Sequence, residues 1–342
     1  MDFSAILLTD KAFIMLSKNH CTVLLVKKGL KGRDLLSTDD LSREEMETVF
    51  NLARDFKLAK GIGRHERILE GKTLGLVFEW ASTRTRLGFE VAMAQLGGYS
   101  IYMPIETTMA AMGEPMKDTS RVLSRLVDAI AIRPFKHETV TELAQHADVP
   151  VINCSSSKGH PTQGLGELYT ILEKKGRLEG LKLAYLGMTR GLFHELILGC
   201  SKVGMDMAAA YPEVGGNAYT PDTGVVKRAY EIAEETGSKI VLTHNLLEAI
   251  KDADVVYACT LLRSCLTGEK TVEEEKINVK AYQVDSEVLK HAKKDAIFMA
   301  PGPAYRNVEV TEEVLEGPHS VVWDQVENAL HVKKAILALL LA

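Results

Sequence analysis

The fold class predicted for this chain is α/β, in two domains, each a mainly parallel sheet flanked by helices. Apolar runs of strand length alternate with longer stretches of helical periodicity, the pattern that parallel strands and their crossover helices leave in a sequence. The length of 342 residues also exceeds what one hydrophobic core usually organises, so two compact bodies are the starting expectation. With 46% hydrophobic and 25% charged residues, the composition is that of an ordinary globular protein.

Taken in order, Leu41–Lys60 begins with Ser42-Arg43-Glu44-Glu45 after Leu41 and carries Met46, Val49, Phe50, Ala53 and Phe56 at helical spacing. It reads as an amphipathic helix packed on a core. Strands are expected at Thr73–Trp80, Ser100–Met103, Ala129–Arg133, Val151–Cys154, Lys182–Leu186, Met205–Ala210, Lys239–Thr243, Val255–Tyr257 and Ala296–Met299, with helical stretches between most of them. Val322–Leu341 places Val326, Ala329, Leu330, Ala335, Ile336 and Leu339 on one broad face and reads as a closing helix. No repeat, low-complexity tract or Gly/Ser linker marks the boundary between domains, which the rhythm of elements puts near the predicted helix Pro161–Lys175.

A net charge of −5, from 41 basic and 46 acidic residues, gives no global attraction to nucleic acid or an anionic membrane, so a small-molecule partner is expected. The five cysteines (Cys21, Cys154, Cys200, Cys259, Cys265) are scattered without C-x-x-C spacing. That argues against a disulfide framework or a zinc knuckle and fits a reducing cytoplasm. The opening MDFSAILLTDKAFIMLSKNHC is interrupted by Asp2, Asp10 and Lys11 and lacks the order of a signal peptide, and no apolar run approaches a membrane span.

The strongest local signal follows the first of these strands, where Ala81-Ser82-Thr83-Arg84-Thr85-Arg86 leads into a helical stretch with Leu87, Val91 and Ala94 on one face, ended by Gly97-Gly98. Ser82 is a good N-cap, and the N–H groups of a first turn with hydroxyls beside them make a phosphate site. Cations in a first turn oppose the helix dipole, so Arg84 and Arg86 call either for a bound anion or for carboxylate partners elsewhere in the chain. A second piece follows Val151–Cys154: Ser155-Ser156-Ser157-Lys158-Gly159, then His160-Pro161-Thr162-Gln163, with Pro161 suited to the first helical position and His160 to the cap. The third is Arg133 at a strand end before Pro134. All three lie at carboxyl ends of predicted parallel strands, where open α/β sheets bind ligands, and they describe a pocket for a small phosphorylated anion. Competing phosphate motifs fail: Gly71-Lys72-Thr73 precedes its strand, and the earlier Gly of a Walker loop is Glu66. No histidine pair has metal-ligand spacing, and neither metal nor cofactor is expected.

These residues resemble a known family. Ser82-Thr83-Arg84-Thr85-Arg86, Lys117-Asp118-Thr119 before Arg121-Val122-Leu123, Arg133, and His160-Pro161-Thr162-Gln163 are similar to the carbamoyl-phosphate half of ornithine and aspartate carbamoyltransferases. The likeness continues through Asp252–Tyr257, Tyr282-Gln283-Val284, Ala296–Met299 and Val310–Val314 to Glu327-Asn328, with the ornithine branch the nearer. It implies a carbamoyl-phosphate domain over 30–165 plus 322–342, an amine-substrate domain over 166–321, an extension of unread role over 1–29, and a homotrimer. By the same resemblance, Ser82, Thr83, Arg84 and Thr85 hold the phosphate, Thr85, Arg133 and His160 polarise the carbamoyl oxygen, and Gln163 orients the carbamoyl nitrogen. The implied partners are carbamoyl phosphate and a small amine or amino acid.

The amine half departs from the ornithine pattern. Where ornithine enzymes carry His-Cys-Leu-Pro, this chain reads Ala300-Pro301-Gly302-Pro303, and Cys259–Gly268 contains no acid where they carry Asp and Ser-Met-Gly. Arg190 and Gly191 fall on the family's paired asparagines, and the arginine after Glu-Asn is Ala329. What the region offers instead is Arg190, His194 and Arg263, readable as a carboxylate clamp or as solvated surface, with Pro301 and Gly302 shaping the pocket wall.

Overall fold

The computed structural model describes residues 4–9, 12–17, 20–27, 29–214, 218–262 and 264–342. Its elements run β1 (Ser4–Thr9), β2 (Ala12–Ser17), β3 (His20–Lys27), α1 (Arg43–Gly61), β4 (Thr73–Phe78), α2 (Thr83–Gln95), β5 (Tyr99–Pro104), α3 (Met116–Ser124), β6 (Ala129–Arg133), α4 (His137–His146) and β7 (Val151–Asn153). There follow α5 (Pro161–Lys175), β8 (Lys182–Leu186), α6 (Leu192–Lys202), β9 (Asp206–Ala210), α7 (Thr223–Thr236), β10 (Ile240–Thr243), α8 (Leu246–Ile250), β11 (Val255–Ala258), β12 (Ile297–Met299) and a closing helix, Val322–Leu341. Each strand expected between residues 73 and 299 is present, displaced by two residues or fewer at either end.

The chain divides into two compact units, Met1–Leu36 with Glu44–Cys154 and Leu330–Ala342, and Ser37–Arg43 with Ser155–Ala329. In the first, β4, β5, β6 and β7 form a parallel sheet in the order β5-β4-β6-β7. The strands β4 and β6 are almost wholly buried, as expected of strands covered on both faces. Val77, Ile130 and Ile132 pack with Leu123 of α3 and Val140 and Leu143 of α4 on one side of it. Helix α1 buries the predicted Met46, Val49, Phe50, Ala53 and Phe56. Helix α2 turns Phe89, Ala92 and Met93 inward, whereas Leu87 and Val91 of its other face stay exposed. The strands of residues 4–27 pair antiparallel in the order β1-β2-β3, structure that reading this stretch as an extension did not foresee.

The second unit holds a parallel five-stranded sheet in the order β10-β9-β8-β11-β12. Leu186, Ala210, Val256 and Phe298 of its strands pack with Leu246 and Ile250 of α8. The main stretch of the unit begins at Ser155, ahead of the boundary expected at 165/166, because α5 belongs to this core. Gly164 of α5 comes so close to α6 that a Cβ there would lie 2.7 Å from Glu195 Cβ. The segment Ser37–Arg43 is counted with the same unit, and the Thr38 N–H donates to Glu195 Oε2 at 2.7 Å. The closing helix, placed wholly with the first domain by the resemblance, changes units at Leu330. No helix among the described residues is long and apolar enough to cross a membrane.

Candidate active site

In each sheet the strand order reverses once, between β4 and β6 in the first unit and between β8 and β11 in the second. Loops leave such a pair toward opposite sides, which opens a crevice at the carboxyl ends. At the first reversal Ser82 has extended backbone (φ −155°, ψ 116°) and caps α2, its hydroxyl accepting the Thr85 N–H at 3.3 Å. Thr85 is buried behind the cap, and Thr83 and Arg84 are exposed. Arg133, the register partner of Phe78, ends β6 alongside.

Arg133 is 9% exposed. Its guanidinium lies 3.9 Å from the centre of the Trp80 ring, and its Nη1 donates to the Cys154 carbonyl at 3.0 Å. Its Nε is buried with no hydrogen-bond partner among the described residues. Burial, with a smaller contribution from the nearby Arg84 charge, lowers its pKa to about 10, so the group stays cationic at neutral pH. Two guanidiniums beside a capped helix start, one of them holding an unused donor, form a site that favours a compact anion. Arg86 takes the other course open to it. It pairs with Glu90 at 2.9 Å and lies 3.6 Å from the centre of the Tyr102 ring.

In the second unit His160 is the N-cap of α5, with Pro161 at the helix start as the sequence suggests. Thr162 Oγ1 is 3.4 Å from His160 Nδ1. Gln163, one turn in, donates through Nε2 to Glu167, which also accepts the Tyr257 hydroxyl at 3.1 Å. Glu195, 1% exposed, accepts from the backbone of Thr38 and of His160, and its burial pushes its pKa up to about 7. Sequence reasoning missed Glu167 and Glu195. Only Glu167 left a signal, as the carboxylate four residues after Gln163 on one helix.

At the second reversal Gly187 has φ +129°, and a Cβ there would meet the Cys259 carbonyl oxygen at 2.6 Å; glycine lets the two loops touch. Arg190 is exposed beyond it. His194 is buried, pairs through Nδ1 with the Lys158 carbonyl at 2.7 Å, and burial lowers its pKa. The Nδ1 contact ties His194 to the loop ahead of His160, while its Nε2 is buried with no hydrogen-bond partner among the described residues. Arg263 lies outside the described residues. Pro301 and Gly302 are partly buried ahead of Pro303. Behind them the buried Glu309 accepts the Tyr305 N–H at 2.7 Å and also bonds the Leu261 backbone; its pKa rises to about 7 through burial. Burial likewise raises Cys259 to about 12, which leaves it inert as a nucleophile.

Residues 33–173 match the carbamoyl-P binding domain of aspartate/ornithine carbamoyltransferases, and residues 179–340 match the Asp/Orn binding domain of the same proteins. The chain belongs to the aspartate/ornithine carbamoyltransferase family. The ornithine carbamoyltransferase of Hyperthermus butylicus is 47% identical over 317 residues, 92% of this chain and 98% of that protein. That of Pyrococcus horikoshii is 45% identical over 312 residues, 91% of this chain and 96% of the relative. The solved ornithine carbamoyltransferase of Pyrococcus furiosus superposes with a TM-score of 0.86 at 44% identity, covering 91% of this chain and 97% of that one. This carbamoyltransferase therefore matches its relatives through both halves, including the second, where the quoted motifs depart.

Proposed function

We propose that this carbamoyltransferase moves the carbamoyl group of carbamoyl phosphate to ornithine, giving citrulline and phosphate. The observation that carries the reading is Arg133, a buried cation with an unused donor, crowded by Arg84 beside the capped start of α2. In the proposed roles Ser82, Thr83, Arg84 and Thr85 hold the phosphate. Thr85, Arg133 and His160 take the charge that builds on the carbonyl oxygen, and Gln163 takes the carbamoyl nitrogen. The neutral amine attacks the carbonyl carbon, the new C–N bond forms, the C–O bond to phosphate breaks, and the leaving phosphate accepts the amine proton. Catalysis is then positioning plus stabilisation of developing charge, without a covalent intermediate.

For the acceptor, Arg190, His194, Arg263, Pro301 and Gly302 are the residues proposed to meet the amine substrate. The acid-free stretch Cys259–Gly268 and the turn Ala300-Pro301-Gly302-Pro303 favour a second reading, in which the acceptor is a different amine. Phosphate release from carbamoyl phosphate, measured with ornithine, lysine, putrescine and aspartate and with a His160→Ala control, decides between them. Release with ornithine that is lost in the control supports the first reading, and release with another amine alone supports the second. Tight carbamoyl-phosphate binding without release under any amine leaves an anion-binding homologue. We also propose a cytoplasmic homotrimer. The exposed Leu87 and Val91 of α2 and Tyr99 and Ile101 of the edge strand β5 support it, since an apolar stripe beside an edge strand favours association. Sedimentation at three times the chain mass is the expected result.

A further inference from the structure

Glu167 is fully buried on α5, where an ionised carboxylate is costly unless its oxygens are satisfied. Two donors converge on its Oε1, the hydroxyl of Tyr257 at 3.1 Å and the side-chain amide of Gln163. Tyr257 is itself fixed, stacked on Tyr185 with 5.9 Å between ring centres and 10° between planes. The Glu167 oxygen that takes the Tyr257 hydroxyl is an acceptor, whereas an amide has a donor end and an acceptor end. Turning the Gln163 amide over would bring its carbonyl oxygen against that same oxygen, two acceptors in contact.

We infer that Glu167, held by Tyr257, is a positioning residue that fixes the Gln163 amide with its nitrogen inward and its carbonyl oxygen offered to ligand, so that the site selects an acyl phosphate bearing an N–H donor. This rests on the carbamoyl-phosphate reading above. It adds what that reading leaves open, namely why Gln163 presents an acceptor and what excludes acyl phosphates of the same size. Acetyl phosphate carries a methyl where carbamoyl phosphate carries its amino group, and against it the offered carbonyl has no partner. The backbone of His160, one turn earlier, is held by the other buried carboxylate, Glu195, so the amide works from a fixed helix start.

The test is the ratio of acetyl-phosphate inhibition constant to carbamoyl-phosphate KM in wild type, Glu167→Gln, Glu167→Asp and Tyr257→Phe. The Glu167→Gln side chain keeps the shape but both donates and accepts, so the Gln163 amide is released. The ratio is expected to fall about tenfold, the worth of one hydrogen bond with its mismatch, through the carbamoyl-phosphate KM alone. Glu167→Asp keeps the acceptor and recovers part of the ratio. Tyr257→Phe, which removes one support and leaves the carboxylate, gives a smaller fall in the same direction and carries the test if Glu167→Gln does not fold. In a Gln163→Ala background Glu167→Gln should leave the ratio where it was. Equal weakening of both ligands, or a fall that persists without Gln163, means a merely structural Glu167 and overturns the inference. A wild-type protein that binds acetyl phosphate but not carbamoyl phosphate overturns the donor assignment first, and this inference with it.

Discussion

The two sheets reverse their strand order in the same way, but the loops at the two reversals spend their polar groups differently. Around β4 and β6 the groups face outward: a capped helix start, an exposed Arg84, and an Arg133 whose Nε has no partner among the described residues. Around β8 and β11 more of them turn back on the chain, although Arg190 is exposed and Thr189 Oγ1, His194 Nε2 and Glu309 Oε2 are buried without a hydrogen-bond partner among the described residues. The Tyr219 hydroxyl donates to the Leu261 carbonyl at 3.0 Å, the Tyr305 hydroxyl to the Cys265 carbonyl at 2.5 Å, and Glu309 takes the Tyr305 N–H. One crevice therefore gathers positive charge, while the other is braced by bonds between its own loops and keeps a few polar atoms unspent. A parallel sheet supplies the crevice in either case, and the side chains of the following loops decide its chemistry.

The largest effect should come from the charged crevice. Arg133→Ala is expected to lower kcat by about 10²–10³, the usual cost of an oxyanion donor. Arg133→Lys should recover little, because a point charge replaces neither the fork nor the stacking on Trp80. Steady-state kinetics check both, and a variant within tenfold of wild type would remove Arg133 from the chemistry. Next comes Glu195. Its folded pKa, about 7, lies above the ordinary glutamate value of 4.5 because burial disfavours the charge, with Asp40 adding to the shift. Between these values the folded state binds more protons than the unfolded, so stability is greatest below pH 4.5, declines as pH rises to about 7 and is level beyond. The Glu195 share of that decline is on the order of 3 kcal/mol. Denaturant titrations across the window should give a flatter profile for Glu195→Gln, and an unchanged slope would mean that the carboxylate is already ionised in the fold.

What could be read in the sequence was local. Ser82 as a cap, Pro161 at the start of α5, and the alternation of strands and helices depend on neighbours along the chain, and the structure has them where the pattern put them. What could not be read depends on partners far away. Glu195 meets Thr38 across 157 positions, and Glu167 meets Tyr257 across 90. Nothing near either acid announces its burial. The stripe of Leu87 and Val91 shows the opposite failure, since periodicity gives a face but not which way it turns. Arg86 was readable either way, and the i,i+4 spacing to Glu90 is the feature that would have tipped it.

The braced crevice is tested at Glu309. Glu309→Ala leaves the Tyr305 and Leu261 N–H groups without their acceptor in a buried place. The two loops should loosen together, raising the acceptor amine's KM about tenfold while carbamoyl-phosphate affinity stays near wild type. Equal loss for both substrates would mean that the two reversals are not separable in function, and the contrast between them would fall.

The smallest expected stability change sharpens the same contrast from the charged side. Ser82→Ala removes the acceptor for the Thr85 N–H and should cost about 1 kcal/mol as a lost cap. A loss of phosphate affinity in that variant has two sources, a frayed helix start or a missing hydroxyl. Ser82→Asp separates them. Aspartate caps as well as serine and suits the positive end of the helix, so the melting temperature should hold or rise. Its charge stands where the phosphate is proposed to sit and answers Arg84 and Arg133 from within the protein. Phosphate binding, followed by calorimetry, should then disappear from a protein at least as stable as wild type. Binding that survives the aspartate would move the phosphate away from this helix start and leave the crowding of the two arginines to be explained by something else.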